Sequence, residues 1–247
     1  MSQRRVDLPG GDPLPPWLIF TGLSLFAFVL LWYFGLIGRM VASDPTHLSL
    51  TIALLYVAGS LHCLWRVLAI SREGDAALKA AQAVVGNGRR ILGPGEGTDG
   101  LPPGLVSAHI RDLATKAALQ GAERLDQTLL LRVLASRLRG SNAFGAFASD
   151  TLMKLGLLGT IIGFIMMLAP IAGLDTENRE AVRSSMSLMS DGMAVAMYTT
   201  LVGLAGSVLL KIQYSLLDSA TAKIFAFAVD LTEVHVVSAL DSRAPAE

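Results

Sequence analysis

The chain has 247 residues, of which 52% are hydrophobic and 16% charged, and its mean hydropathy is +0.53. Soluble domains carry about a quarter charged residues, so this composition points to a membrane protein. Lys+Arg and Asp+Glu balance at 20 each, which excludes a basic footprint for nucleic acid. The single cysteine, Cys63, excludes an intrachain disulfide.

Residues 1–16 are a polar, Pro-rich lead, expected on the cytoplasmic side. Residues 17–38, "WLIFTGLSLFAFVLLWYFGLIG", hold no charge and are long enough to cross a hydrocarbon core, which takes about 20 apolar residues in a helix. No small-residue cleavage pattern follows, so the stretch is expected to be a retained span rather than a signal peptide. A second span, 48–65, "LSLTIALLYVAGSLHCLW", ends against Arg66 and completes a first hairpin over 17–70. Residues 71–91 are alanine-rich and should continue that helix inward. "GPGEGTDGLPPG", 93–104, reads as a linker, because its glycines and prolines cannot sustain a regular element. Beyond it, Val106, Ile110, Leu113 and Ala117 fall at helical spacing, and Leu125, Leu129, Val133 and Leu138 carry the stripe past Gly121. This segment, part of a loop over 71–150, is expected to pack on neighbouring helices or another subunit, with a membrane-surface helix as the alternative. Residues 155–174 and 192–210 supply the third and fourth spans of a second hairpin over 151–213. The tail, 214–247, has apolar positions at helical spacing and no Gly or Pro over 215–240, so it should extend the fourth span into the cytoplasm.

Charge asymmetry orients the spans. Twelve of the 20 Lys and Arg lie within 66–154, one lies in the link 39–47, and two lie in the link 175–191 against four acids. The fold class expected is an all-α integral membrane protein with four transmembrane helices, both termini and the large loop cytoplasmic, and long cytoplasmic helical extensions.

Two of the spans are patterned by small residues. Gly156, Thr160, Gly163 and Met167 recur at i, i+4, i+7 and i+11, and Gly159 with Gly163 forms a G-x-x-x-G. Ala196, Thr200, Gly203 and Ser207 repeat the same spacing in the last span. Between lipid tails helices gain little by hiding leucine from leucine, so small residues that allow close backbone approach hold bundles together. The plain reading of each threonine is a bond to its own helix's i−4 carbonyl. Hydroxyls at similar depth on two small-residue faces also suit a polar path through the bundle.

The segments "LGLLGTIIGF", 155–164, and "GMAVAMYTTLVGLAGSVLLKIQY", 192–214, resemble the MotA/TolQ/ExbB proton channel family. Its penultimate helix carries G-L-x-G-T, and its last carries G-I-A-x-A-L-x-x-T-x-x-G-L, here Gly192, Met193, Ala194, Ala196, Met197, Thr200, Gly203 and Leu204. The resemblance covers roughly residues 150–220. It implies a homopentamer in a bacterial inner membrane, closed around two copies of a single-span MotB/TolR/ExbD-like partner that supplies a membrane aspartate. Thr160, Thr200, Thr199 and Ser207 would then belong to the ion pathway, and Gly156, Gly159, Gly163, Ala196 and Gly203 to helix packing. The chain departs from the family at Val195, where many members have an acid, and at Leu209, where many have a proline. Four spans match the MotA branch rather than the three-span TolQ and ExbB proteins.

The residues themselves argue for a partner. None of the four apolar runs contains Asp, Glu, Lys or Arg, yet a proton relay normally needs a titratable group in the membrane. His62, beside Cys63 near the inner end of the second span, reads as an interfacial side chain. His47, His109 and His235 are isolated, and no metal-ligand spacing exists. No nucleophile–base pair or phosphate loop appears, so an enzyme is not expected, and neither is a cofactor other than the transported ion. The expected function is an ion channel subunit, for H⁺, of an energy-transducing motor that couples ion flow to work by its partner. The alternatives are a sodium-driven stator subunit, suggested by Thr199 beside Thr200, and a non-conducting membrane scaffold. Members of the family power flagellar rotation, TonB-dependent uptake, envelope maintenance, gliding or phage defence.

Overall fold

A computed structural model describes residues 14–35, 38, 40, 44, 46–91, 100–120, 126–173 and 179–241. These form helices and turns, with no strand among the described residues: α1 (Leu14–Tyr33), α2 (Leu48–Ile91), α3 (Leu105–Gln120), α4 (Thr128–Arg139), α5 (Ala143–Leu168), α6 (Arg179–Leu231) and a short α7 (Ser238–Asp241). A 3₁₀ turn, Gly140–Asn142, joins α4 to α5, another, Ala169–Gly173, follows α5, and a π turn, Thr232–Val237, separates α6 from α7. Most of the lead expected over 1–16 and most of the 93–104 linker lie outside the described residues, as do Gly121 and Leu125.

Local chemistry explains the helix ends. Pro15 and Pro16 open α1, where a missing N–H costs nothing. At its other end the Phe34 amide donates to Leu30 O at 3.0 Å, and Gly35 follows at φ 71°, the left-handed turn that glycine makes without a Cβ penalty. Asp44, itself buried, caps α2: it accepts the Thr46 and Ser49 amides at 3.1 and 2.7 Å and both hydroxyls. Burial alone would raise the Asp44 carboxyl, but these bonds outweigh it and hold the group below its ordinary value. The α3 N-terminus is capped by another helix, since Glu73 of α2 accepts the Leu105 and Val106 amides at 2.5 and 3.2 Å.

The chain divides into two compact units. One, Pro16–Leu64 with Asn142–Ser215, holds α1, the first part of α2, α5 and the first part of α6. Three helical runs among the described residues are long and apolar enough to cross a membrane: Leu48–Gly86, Thr128–Ile171 and Arg179–Val237. Only 22%, 22% and 33% of their most apolar windows is buried within the chain, so the rest must meet lipid or another subunit. The first expected span forms a shorter apolar run, Leu14–Leu30. In the second hairpin α6 begins at Arg179, so residues 179–191, expected as part of a link, are helical.

The other unit holds Trp65–Ser141 and Leu216–Glu247 with Met1–Pro15. Its core is built from Val67, Ile70, Ala77 and Val84 of α2, Val106, Ile110 and Leu113 of α3, Leu134 and Leu138 of α4, and Leu217, Ile224 and Leu231 of α6. The single stripe expected over 105–140 is two helices. In α4 the buried positions are Leu134 and Leu138, whereas Leu129 is 70% exposed and Val133 41%. A break in the helix resets the angular register, so spacing counted across it no longer describes one face. Arg66 closes α4 by donating to Leu138 O and Arg139 O at 3.0 Å, where a cation meets the negative end of the helix. Gly140, at φ 47°, leaves room for that guanidinium, which a Cβ would meet at 2.8 Å.

Candidate functional site

Helices α5 and α6 pack through a line of small residues running antiparallel along both. A Cβ on Gly156 would lie 3.1 Å from Gly203 Cα, one on Gly203 2.7 Å from Gly156 Cα, and one on Gly163 2.6 Å from both Ala196 N and Gly192 O. Backbone is thus the neighbour on each side. At Gly159 the space is filled by the Thr199 side chain, and at Gly192 by the backbone of Met167. The seam reads Ser149, Leu152, Gly156, Gly159, Gly163 on α5 and Ser207, Gly203, Thr199, Ala196, Gly192 on α6, steps of three and four that keep one helical face inward.

The four oxygen-bearing residues singled out in the sequence fall into two settings. Thr199 is fully buried in the seam, its hydroxyl donating to Val195 O at 2.8 Å. Ser207 is also buried, and it pairs with Ser149, whose hydroxyl lies 3.0 Å from Ser207 O and 3.1 Å from Ser207 Oγ. Thr160 and Thr200 flank the seam and are only partly buried. The Thr160 hydroxyl donates to Leu157 O at 2.5 Å. The Thr200 hydroxyl lies 2.9 Å from Ala196 O and 3.3 Å from Gly156 O, the latter on the facing helix. A hydroxyl has one proton and two lone pairs. With that proton engaged by a backbone carbonyl, Thr160 and Thr200 present lone pairs alone to whatever approaches. They can accept from a proton donor or ligate a cation, and they cannot donate to an anion while so engaged.

The surroundings of this pair carry no charge. Lys154 and Asp150 form an exposed i,i+4 pair at 2.5 Å just before the apolar part of α5, and no acid or base occurs in α6 between Asp191 and Lys211. Val195 is fully buried. No group of three or more His, Cys, Asp or Glu that could hold a metal ion occurs among the described residues.

Several polar residues of the same unit carry no sequence signal of the kind used above. Gln213, fully buried in α6, accepts from Ser60 of α2 at 2.9 Å and faces Thr21 of α1 at 3.5 Å. Ser24 of α1 and Tyr56 of α2 lie 3.1 Å apart. His62 meets the Tyr214 hydroxyl at 2.6 Å and stacks edge-on against Phe144 at a centroid distance of 4.9 Å. The Tyr214 ring lies over Gly145, which has no Cβ to block it. Only Ser149 was reachable from spacing, because it sits seven residues before Gly156 on the same face. The others are single polar residues in apolar helices, whose partners only the packing reveals.

Residues 106–227 match the MotA/TolQ/ExbB proton channel family. No curated protein and no solved structure gives a significant match. The matched segment contains the α5–α6 hairpin with its glycine seam and both flanking threonines, and by this match the chain belongs to the MotA/TolQ/ExbB proton channel family.

Proposed function

We propose that the chain is the channel subunit of an energy-transducing complex in a bacterial inner membrane, passing protons along the face of α5–α6 that carries Thr160 and Thr200. The observation that carries this reading is the state of those two hydroxyls. Both are held by backbone carbonyls, both are partly exposed, and both offer only acceptor lone pairs on a face without a charged side chain. Such a face serves a protonated carboxyl, a water chain or a bare cation, and it needs the titrating acid from elsewhere. A single-span partner carrying a membrane aspartate supplies it, two copies standing inside a homopentamer of this chain. Thr199 and Ser207 stand behind the exposed pair, in the seam. The chain has no acid of its own at that level, where the buried residue is Val195.

The chain crosses the membrane four times in this reading, with both termini cytoplasmic. Helix α1 has 20 residues, about 30 Å of helix, with no charge. It is fastened to the bundle by Thr21 and Ser24, while Leu18, Ile19, Leu23, Phe26 and Val29 stay exposed, as a lipid-facing helix requires.

The test is ion flux into proteoliposomes containing the chain and its partner, with the partner's aspartate variant as the zero. Thr160→Val and Thr200→Val keep the shape and remove the hydroxyl. A hydrogen bond to a charged group contributes about 1.5–3 kcal/mol, so each variant is expected to lose roughly tenfold or more in flux while the complex stays assembled. Wild-type flux in both would sink the assignment. Flux that requires Na⁺ would keep the residues and change the ion.

A further inference from the structure

One layer of the unit that holds α1 and α5 gathers the polar side chains of the first two helices. Between 18 and 31, α1 has two side chains with oxygen or nitrogen, Thr21 and Ser24; between 52 and 64, α2 has three, Tyr56, Ser60 and His62. All five are joined across helices: Ser24 to Tyr56 at 3.1 Å, Ser60 to Gln213 at 2.9 Å, Gln213 to Thr21 at 3.5 Å and His62 to Tyr214 at 2.6 Å. Hydroxyls and amides bonded in this way hold transmembrane helices together. The His62–Tyr214 bond differs in kind. Histidine is the side chain that gains and loses a proton near neutral pH, and a phenol hydroxyl can accept one hydrogen bond while it donates another. His62 is the one imidazole in the four apolar runs.

The pair also stands in line with the seam. On α5, the buried residues Gly145, Ser149, Leu152 and Gly156 follow in steps of four, three and four. On α6, Gly203, Ser207, Leu210 and Tyr214 repeat those steps and are buried too. Thr200, Ser207 and Tyr214 are thus seven residues apart, about 10 Å of helix each time. Hydroxyls recur at that interval from the threonine pair to the loop end of the hairpin. Gly145 lets the Tyr214 ring in, and the phenol oxygen lies 2.6 Å from His62 Nδ1 and 3.4 Å from Gly59 O. Tyr214 is buried, whereas His62, with Phe144 against its ring at 4.9 Å, is partly exposed. A buried hydroxyl beside a partly exposed base is the order in which a proton can leave. The neighbouring charges are few. On α2 the Arg66 guanidinium lies on Leu138 O and Arg139 O, and α5 has no charge from 143 to 149, with Asp150 paired to Lys154. On α6 Lys211 and Asp218 are exposed, and α1 has no charge.

We infer that His62, acting through Tyr214, takes up the proton at the loop end of the channel and hands it to the cytoplasm. This role rests on the proton-channel reading of the chain, with the large loop cytoplasmic. An arriving proton binds the Tyr214 oxygen as the phenolic proton moves to His62 Nδ1, so one O–H bond forms as another breaks. The imidazolium then gives a proton from Nε2 to water, and tautomer exchange with water returns the acceptor lone pair to Nδ1. Neither residue is left charged. The other bonds of the layer cannot do this, because Gln213 and the aliphatic hydroxyls hold no extra proton near neutral pH.

Proton flux into proteoliposomes containing the chain and its partner tests the role, with each variant checked for assembly. His62→Gln can still hydrogen-bond Tyr214 but cannot carry the proton, and Tyr214→Phe keeps the ring over Gly145 without its hydroxyl. Each is expected to lose at least about tenfold in flux while assembled. His62→Ala should lose as much and recover when imidazole is added, which should leave the partner's aspartate variant at zero. A histidine that only holds helices together would not be replaced by a soluble base. Wild-type flux in His62→Gln or Tyr214→Phe, a His62→Ala loss that imidazole leaves unchanged, or failure of all three to assemble would each overturn the role. The channel reading survives those outcomes as long as wild-type flux depends on the partner's aspartate. Flux without that dependence would sink both.

Discussion

Thr160, Thr199 and Thr200 all donate to carbonyls of their own helix, so their hydrogen bonds do not tell them apart; their surroundings do. Thr199 fills the space above Gly159 with no solvent-facing surface, whereas its neighbours along the pair keep one side open. Thr199→Val should therefore retain near wild-type flux in the same proteoliposome assay that Thr160→Val and Thr200→Val fail. Loss of flux equal to theirs would bring the buried hydroxyl into the path. The glycines separate in the same way. A methyl on Gly163 would press on Ala196 N and Gly192 O, backbone that cannot swing aside, and overpacking of this kind costs about 1–3 kcal/mol. Gly22 in α1 has nothing within 4 Å of its missing Cβ, and a helix interior prefers alanine to glycine by about 1 kcal/mol. Gly163→Ala is thus expected to lower the melting temperature of the detergent-solubilised chain, and Gly22→Ala to leave it level or raise it.

At the scale of elements, long helices were legible because nothing interrupts them. Residues 215–240 lack Gly and Pro, and α6 runs for 53 residues through Leu231; α2 runs for 44. The breaks were harder. Spacing carried one stripe from Val106 to Leu138, but α3 and α4 are separate and α4 buries Leu134 and Leu138 instead of Leu129 and Val133. What positions these two helices is polar and remote: Glu73 caps α3 from 32 residues away, and Arg66 closes α4 from 72. Glu73→Ala leaves two α3 amides without their acceptor and should cost about 1 kcal/mol, the usual worth of a helix cap. Faster hydrogen exchange confined to the first turn of α3 would show it, and an unchanged first turn would mean that water caps the helix equally well.

For the whole molecule, the α5–α6 pair satisfies its glycine seam within one chain, yet most of each apolar run stays uncovered. The exposed faces carry Leu157, Ile161, Phe164, Met197, Leu201 and Leu204, side chains that suit lipid or a neighbouring copy. Five copies are expected by native mass spectrometry of the purified complex, and a monomer or dimer under gentle conditions would count strongly against the ring. The orientation proposed rests on the basic loop. A reporter inserted after Gly97 should read as cytoplasmic and one near Asn178 as periplasmic, and reversal would overturn the charge-based assignment.

The sequence by itself determined the solvent and the family. Uncharged runs of this length are stable only where water is absent, and G-L-L-G-T with the glycine–alanine–threonine repeat of the last span is readable residue by residue. It also narrowed the face of close helix packing to within one helical step. Only the tertiary structure decided which side of that step is inside. Gly159 and Thr160 are adjacent, about 100° apart around the helix. A threonine is small enough to pack against glycine and polar enough to line a path, so spacing cannot choose between Thr199 and Thr200. The facing backbone does choose, by closing over Thr199 and leaving Thr200 at the edge. The buried amide of Gln213 and the Gln127–Glu233 pair were beyond the sequence for a related reason. A hydrogen bond between residues 106 or 153 positions apart leaves no periodic trace, and it exists only once the helices have been brought together.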